Sequence, residues 1–149
     1  MNAKFLQSPE KKKILEELEH LFGIKNIPYL LIRTGNEKIR VYSGSLSKDE
    51  IIELDRLVNI EIIGEYFLKQ EGDLRLSLDA TQIMKAQITK SIVDIDDIQF
   101  HSWIRGQDID IKTDSGVKVI RYKGNLIGCG KSNGEKIFNY VPKERRLRK

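Results

Sequence analysis

Apolar positions in the first part of the chain recur at helical spacing. Ile14, Leu15, Leu18, Leu21 and Phe22 fall on one stripe of a 3.6-residue period, which predicts an amphipathic helix. Ser8-Pro9-Glu10 supplies a cap residue and then proline at the first helical position, where its missing N–H costs nothing, and Gly23 is the expected stop. A second helix is announced by Ser47-Lys48-Asp49-Glu50, a capping box ahead of Ile51, Leu54, Leu57 and Val58. Asp79-Ala80-Thr81-Gln82 marks a third, running into Ile83, Met84, Gln87 and Ile88.

Elsewhere the period shortens towards two. Tyr29 to Thr34 and Lys38 to Ser43 are β-rich runs around the turn Gly35-Asn36-Glu37, a hairpin. Ile60 to Leu68 reads as a further strand, and Leu74 to Leu78 alternates cleanly. After the third helix come Ile92 to Ile95, Val117 to Tyr122, Leu126 to Cys129 and Lys136 to Val141. Turns at Asp114-Ser115-Gly116, Lys123-Gly124-Asn125 and Ser132-Asn133-Gly134 set off the last three. Three strands joined by tight turns form a meander. The fold class is α+β, and Gln70-Glu71-Gly72-Asp73 is the expected boundary. Residues 1–73 would form a small N-terminal α/β lobe with an antiparallel sheet, and residues 74–149 a β-rich domain with one early helix. Two units this small need each other's apolar surface, so a rigid two-lobed monomer is expected.

Charge divides along the same line. Residues 1–99 hold 14 Lys/Arg against 17 Asp/Glu, whereas residues 100–149 hold 12 against 5. A basic half on a slightly acidic one points to a polyanionic partner. With 40% apolar and 32% charged residues the chain is globular. It has no apolar run of the roughly 18 residues that span a bilayer, and no secretory segment at its start. A lone cysteine, Cys129, suits a reducing compartment, and a cytoplasmic protein is expected.

Candidate chemistry narrows quickly. Asn125-Leu126-Ile127-Gly128-Cys129-Gly130-Lys131-Ser132 approaches a phosphate-binding G-x-x-x-x-G-K-[ST] loop, but Asn125 replaces the first glycine and a turn and strand follow where a helix is required. In a strand, Gly128 and Gly130 instead permit close approach of another backbone, or mark a bulge or barrel corner. Cys129 within a strand reads as a small buried apolar group, with neither His20 nor His101 beside it. Asp94, Asp96 and Asp97 lack a calcium-loop pattern and read as a solvated turn or helix cap. No cofactor, metal or catalytic set is expected. What remains is basic and aromatic: Trp103, Arg105 and Gly106 in a loop or short helix, Lys123 and Lys131 at strand ends, and the run Asn139 to Lys149. Lysine and arginine neutralise phosphates, and aromatic faces stack on unpaired bases. Trp103 reads better as core, and the last five residues read either as a contact or as a frayed tail.

The segments Trp103-Ile104-Arg105-Gly106-Gln107-Asp108, Val119 to Lys131 and Asn139-Tyr140-Val141-Pro142-Lys143, in that order, resemble the PUA-like domain appended to Sun/fmu-type RNA cytosine methyltransferases. The resemblance covers the chain from Leu74 onward. The whole chain is similar in layout to two-domain large-subunit ribosome-biogenesis factors that carry a small α/β domain before a PUA domain, though it is shorter between Ile92 and Gly116. The resemblance implies a PUA-like β pseudo-barrel that binds structured RNA, ribosomal or transfer, without the methyltransferase's Rossmann-like domain or catalytic cysteines. It would serve in ribosome biogenesis or deliver RNA to an RNA methyltransferase or pre-ribosomal particle. The resemblance places phosphate contacts at Arg105, Lys123, Lys131, Lys143, Arg145 and Arg146 and close backbone approach at Gly106 and Gly128, with Lys85 and Lys90, around the third helix, as secondary contacts. The competing readings are a protein-interaction adaptor and an enzyme using Cys129 or the glycine-rich segment.

Overall fold

The computed structural model describes residues 3–148. Its first sheet is antiparallel and follows chain order: β1 (Ala3–Phe5), β2 (Leu30–Thr34), β3 (Lys38–Tyr42), β4 (Glu65–Gln70) and β5 (Leu74–Leu76). The expected hairpin forms, with Thr34 opposite Lys38 across the three-residue turn. β1 is too short to announce itself in the sequence; its strand geometry comes from pairing Ala3 to Phe5 against Thr34 to Ile32.

Helix α1 (Ser8–Phe22) buries Ile14, Leu18 and Phe22, the core of the expected stripe. Its cap lies one residue earlier than expected, at Gln7, whose side chain makes no capping bond; Ser8 is already helical and Pro9 sits in the first turn. Gly23 ends it in the left-handed region (φ 83°), and a Cβ there would stand 2.2 Å from Thr89 Oγ1. Helix α2 (Lys48–Val58) has the full capping box of Ser47 and Glu50, but its apolar stripe is a correction. Ile51 alone is buried, while Leu57 and Val58 keep 77% and 64% of their surface exposed.

The strand expected from Ile60 begins at Glu65 instead. Asn59 closes α2 in the left-handed region and Gly64 turns at φ 76°, and the residues between these two turns lie outside the ladder, which β4 joins only at Glu65. Arg40 fixes this turn by donating to the carbonyls of Ile63 (3.0 Å) and Gly64 (2.7 Å). The turn after Gln70 returns β5 against β4, with Leu76 opposite Leu68. β5 is thus both the start of the C-terminal half and the edge strand of the first sheet. Ser77, not Asp79, caps α3 (Leu78–Ile83): its hydroxyl accepts from Ala80 N–H at 3.0 Å and donates to Tyr66 C=O at 2.8 Å. The helix ends before the Ile88 expected from the pattern.

The second sheet has the order β6-β8-β9-β10-β7, from β6 (Ile92–Asp94), β8 (Gly116–Tyr122), β9 (Asn125–Ser132), β10 (Lys136–Asn139) and β7 (Ile109–Asp110). The meander β8-β9-β10 is as expected, and β6 joins β8 in parallel, linked through α4 (Asp97–Ile104). Lys123 and Gly124, both at positive φ, form the two-residue turn that a right-twisted hairpin favours. Between Val119 and Arg121 the register slips, so that Ile127 and Gly128 together oppose Ile120, a bulge that curls the sheet.

One core runs through both halves, joining Ile14, Leu18 and Phe22 to Val117, Val119 and Cys129. A second lies beyond the curled sheet around Trp103, Ile120, Ile137 and Val141. Polar ties reinforce the joint: Thr89 N–H donates to Phe22 C=O (2.8 Å), and the Gln87 amide donates to Asn26 C=O (2.9 Å) while accepting from Lys25 N–H (2.9 Å).

Candidate nucleic-acid interface

The Gly-Cys-Gly segment is a seat for an indole. Trp103, fully buried, donates its Nε1–H to Ile127 C=O at 2.9 Å. A Cβ at Gly128 would lie 3.0 Å from Val141 Cγ2 and 3.5 Å from Trp103 Nε1; one at Gly130 would lie 2.9 Å from Trp103 Cη2 and 2.4 Å from Phe138 C=O. The close approach expected of nucleic acid at Gly128 is therefore made by the protein's own core, because this strand is covered by Trp103 and Val141. Cys129, between the glycines, belongs to the other core, where burial pushes its thiol up to about 12. A neutral thiol without a neighbouring base is inert at physiological pH. Residues 125–132 are strand throughout, so no helix amide cradles a phosphate.

Gly106 is likewise occupied. At φ 87° it ends the turn after α4, and a Cβ would stand 2.3 Å from Arg146 Cδ. Arg146 lies across it and donates through Nε to Val141 C=O at 2.8 Å. This corrects two expectations, since Gly106 faces an arginine side chain and that arginine is half-buried and engaged. Leu147 N–H donates to Ile104 C=O at 2.7 Å, and Lys143–Arg145 form a short 3-10 turn after Pro142. Residues 143–147 are thus a ledge fixed to the end of α4, not a frayed tail. Lys149, the last of the basic cluster, lies outside the described residues.

On this ledge Lys143, Arg145 and Arg148 are exposed, beside exposed Arg105. Arg145 also reaches Asp79 at the start of α3 (3.3 Å), and Arg105 donates to His101 C=O (3.3 Å). Lys123 is some distance off, at the other end of α4, about 12 Å by helix rise. There Asp97, whose carboxylate is held low first by the Tyr122 hydroxyl and then by Lys123, stands 3.7 Å from the lysine. Each of the three aspartates is committed within the fold. Asp94 pairs with Arg121 (2.7 Å), Asp96 caps α4 in a capping box, and Asp97 accepts from Tyr122. Among the described residues, no group of three His, Cys, Asp or Glu stands together to hold a metal ion.

Lys131 is exposed at the far end of β9, roughly 25 Å from Lys123 by strand rise. Lys85 and Lys90 are exposed in the segment beyond α3, not within the helix, and Lys90 N–H is tied to Phe22 C=O at 3.2 Å. Of the ten candidate positions, Arg105, Gly106, Lys143, Arg145 and Arg146 are brought together; Lys123, Lys131, Lys85 and Lys90 are spread around them, and Gly128 is internal. Phe138 is a further surface aromatic that the sequence pattern did not single out, although its alternation with Ile137 already turned its ring outward.

Comparison with known proteins agrees with this architecture. Residues 90–147 match the model of the methyltransferase RsmF PUA domain. The ribosomal RNA small subunit methyltransferase F of Aeromonas salmonicida (strain A449) is 24% identical over 142 residues, which are 93% of this chain and 28% of that protein. The chain therefore spans little more than a quarter of the relative's length. A conserved PUA domain protein from Thermoplasma acidophilum has the same fold, with a TM-score of 0.59 over 92% of both chains at 16% identity. Residues 90–147 are therefore similar to the PUA domain of methyltransferase RsmF, and the chain as a whole shares the fold of a PUA-domain protein.

Proposed function

We propose that this protein is a non-catalytic, cytoplasmic RNA-binding monomer, with residues 74–149 as the RNA-binding domain and residues 1–73 as its supporting lobe. The observation that carries the reading is the anchored basic ledge. Leu147 and Arg146 are fixed to α4 and Val141, so Lys143, Arg145 and Arg148 are presented without the ordering cost that a loose tail would incur on binding. Arg105 extends the ledge. Lys123, Lys131, Lys85 and Lys90 add positive charge at its flanks and set the wider field that draws in a phosphate backbone. The similarity to a ribosomal RNA methyltransferase favours structured ribosomal or transfer RNA as the ligand. It also favours a role in ribosome biogenesis or in presenting RNA to a modifying enzyme or a pre-ribosomal particle.

A second reading, a protein-interaction adaptor, is favoured by the exposed face of α2, where Leu54, Leu57 and Val58 lie near Ile62, itself 74% exposed. The two are separated by equilibrium binding of the whole chain to ribosomal RNA and to tRNA over about 50 to 200 mM salt. Affinity that falls steeply with salt supports the first reading; no binding at the lowest salt overturns it.

A further inference from the structure

Three side chains stand in register across the open end of the second sheet: Val117 on β8, Lys131 on β9 and Phe138 on β10. One row further in, Val119 and Cys129 are buried, and the Arg75 guanidinium lies 4.1 Å above the Tyr140 ring. In the outer row the Phe138 ring keeps 39% of its surface exposed and Lys131 is exposed. Both open into a cleft of about 470 Å³, shared with Asp73, Ser115 and Asn133.

We propose that this cleft holds an unpaired nucleotide of an RNA, with the base stacked on Phe138 and its phosphate on Lys131. The inference rests on the RNA-binding reading and adds a contact area distinct from the ledge. Tyr140, just past the end of β10, and Phe138 on that strand line adjoining clefts that share Asp73 and Lys131. The first has its planar cation in place, and the second has no ring or cation partner among the described residues. A base is the planar group that completes the second stack, and stacking of this kind is tolerant of sequence. Lys131 forms no ion pair among the described residues, so its charge is free for a phosphate. Asn133 spends its amide oxygen on Glu135 N–H (3.0 Å) and Lys136 N–H (2.9 Å), which leaves its NH₂ as a donor to a base edge. One wall of the cleft carries the Asp73 carboxylate, while Glu71, in its continuation towards Tyr140, is already paired with Lys69 (2.8 Å) and Arg75. A single strand can place its one backbone on Lys131 and away from Asp73.

The test uses the full chain and two probes: a single-stranded RNA of about eight nucleotides carrying 2-aminopurine, and tRNA. Wild type, Phe138→Ala, Phe138→Tyr and Lys131→Ala are compared after thermal melts show that they fold alike. The expected result is quenching of 2-aminopurine by wild type and Phe138→Tyr, and about tenfold weaker, unquenched binding by Phe138→Ala. Lys131→Ala lowers the salt slope for the single strand by about 0.7. Undiminished affinity and quenching in Phe138→Ala overturns the cleft, and continued tRNA binding then leaves the RNA-binding reading standing. A wild-type protein that binds neither probe at low salt overturns both.

Discussion

Trp103 and Gly130 share a boundary that no side chain at residue 130 can cross, since a Cβ there would stand 2.9 Å from the indole Cη2. The same atom would lie 2.4 Å from Phe138 C=O, so β10 would have to move as well. Gly130→Ala is expected to cost about 3 kcal/mol, the upper end for overpacking a core. Trp103→Phe should cost about 2 kcal/mol, through lost volume and an unpaired Ile127 carbonyl. Because the smaller ring relieves part of the clash, the double variant should lose less than the sum. Urea unfolding of the four proteins gives the coupling, and strict additivity would contradict the packing described.

Gly106 and Arg146 form a second matched pair, with a different readout. Gly106→Ala meets both a positive φ and the Arg146 side chain, and is expected to cost about 1–2 kcal/mol. Arg146→Ala removes the bond to Val141 C=O and frees the ledge. Both should speed amide exchange at Leu147, whose N–H is held by Ile104 C=O, while exchange in β8 stays unchanged.

Three exposed carboxylates make stability depend on acid. The Arg121 guanidinium holds Asp94 below the usual range, the Tyr122 hydroxyl and then Lys123 do so for Asp97, and Lys118 does so for Asp114. A depressed folded value means that the unfolded chain takes up protons first. The contribution is complete above about pH 4, the unfolded carboxylate value, and disappears as pH falls through the lower folded values. Melting temperature should therefore be flat near neutrality and drop below about pH 4, and Asp94→Asn should make the drop shallower.

Cys129 should resist thiol reagents in the native protein at pH 8 and react at the rate of global unfolding. The residue is buried, and that burial also suppresses the acidity of its thiol. Rapid labelling without denaturant would place it elsewhere.

Much of the fold is legible in the sequence wherever a local rule has a local partner. Ser47 and Glu50, Gly23, and the turn at Lys123-Gly124 each act within a few residues, and each does what the pattern implies. The misread positions answer to distant residues. The seat formed by Gly128 and Gly130 is filled by Trp103, some 25 positions earlier, and Gly106 is filled by Arg146, 40 positions later. α2 carries a helical stripe that periodicity alone assigns to the core, yet Leu54, Leu57 and Val58 face outward. α4 is half visible: Asp96 and Gln99 form its capping box, while its aromatic, helix-poor body obscures its length. Of the candidate site, residue type is legible, but not which lysines and arginines already have a partner.

If the ledge meets phosphate, the slope of log affinity against log salt for tRNA shows it most directly. Wild type is compared with Lys143→Ala/Arg145→Ala, two exposed changes outside both cores. A ledge that carries phosphate contacts gives a steep slope for wild type and one shallower by about 2 in the variant, with unfolding unchanged. Equal slopes in the two proteins would contradict it.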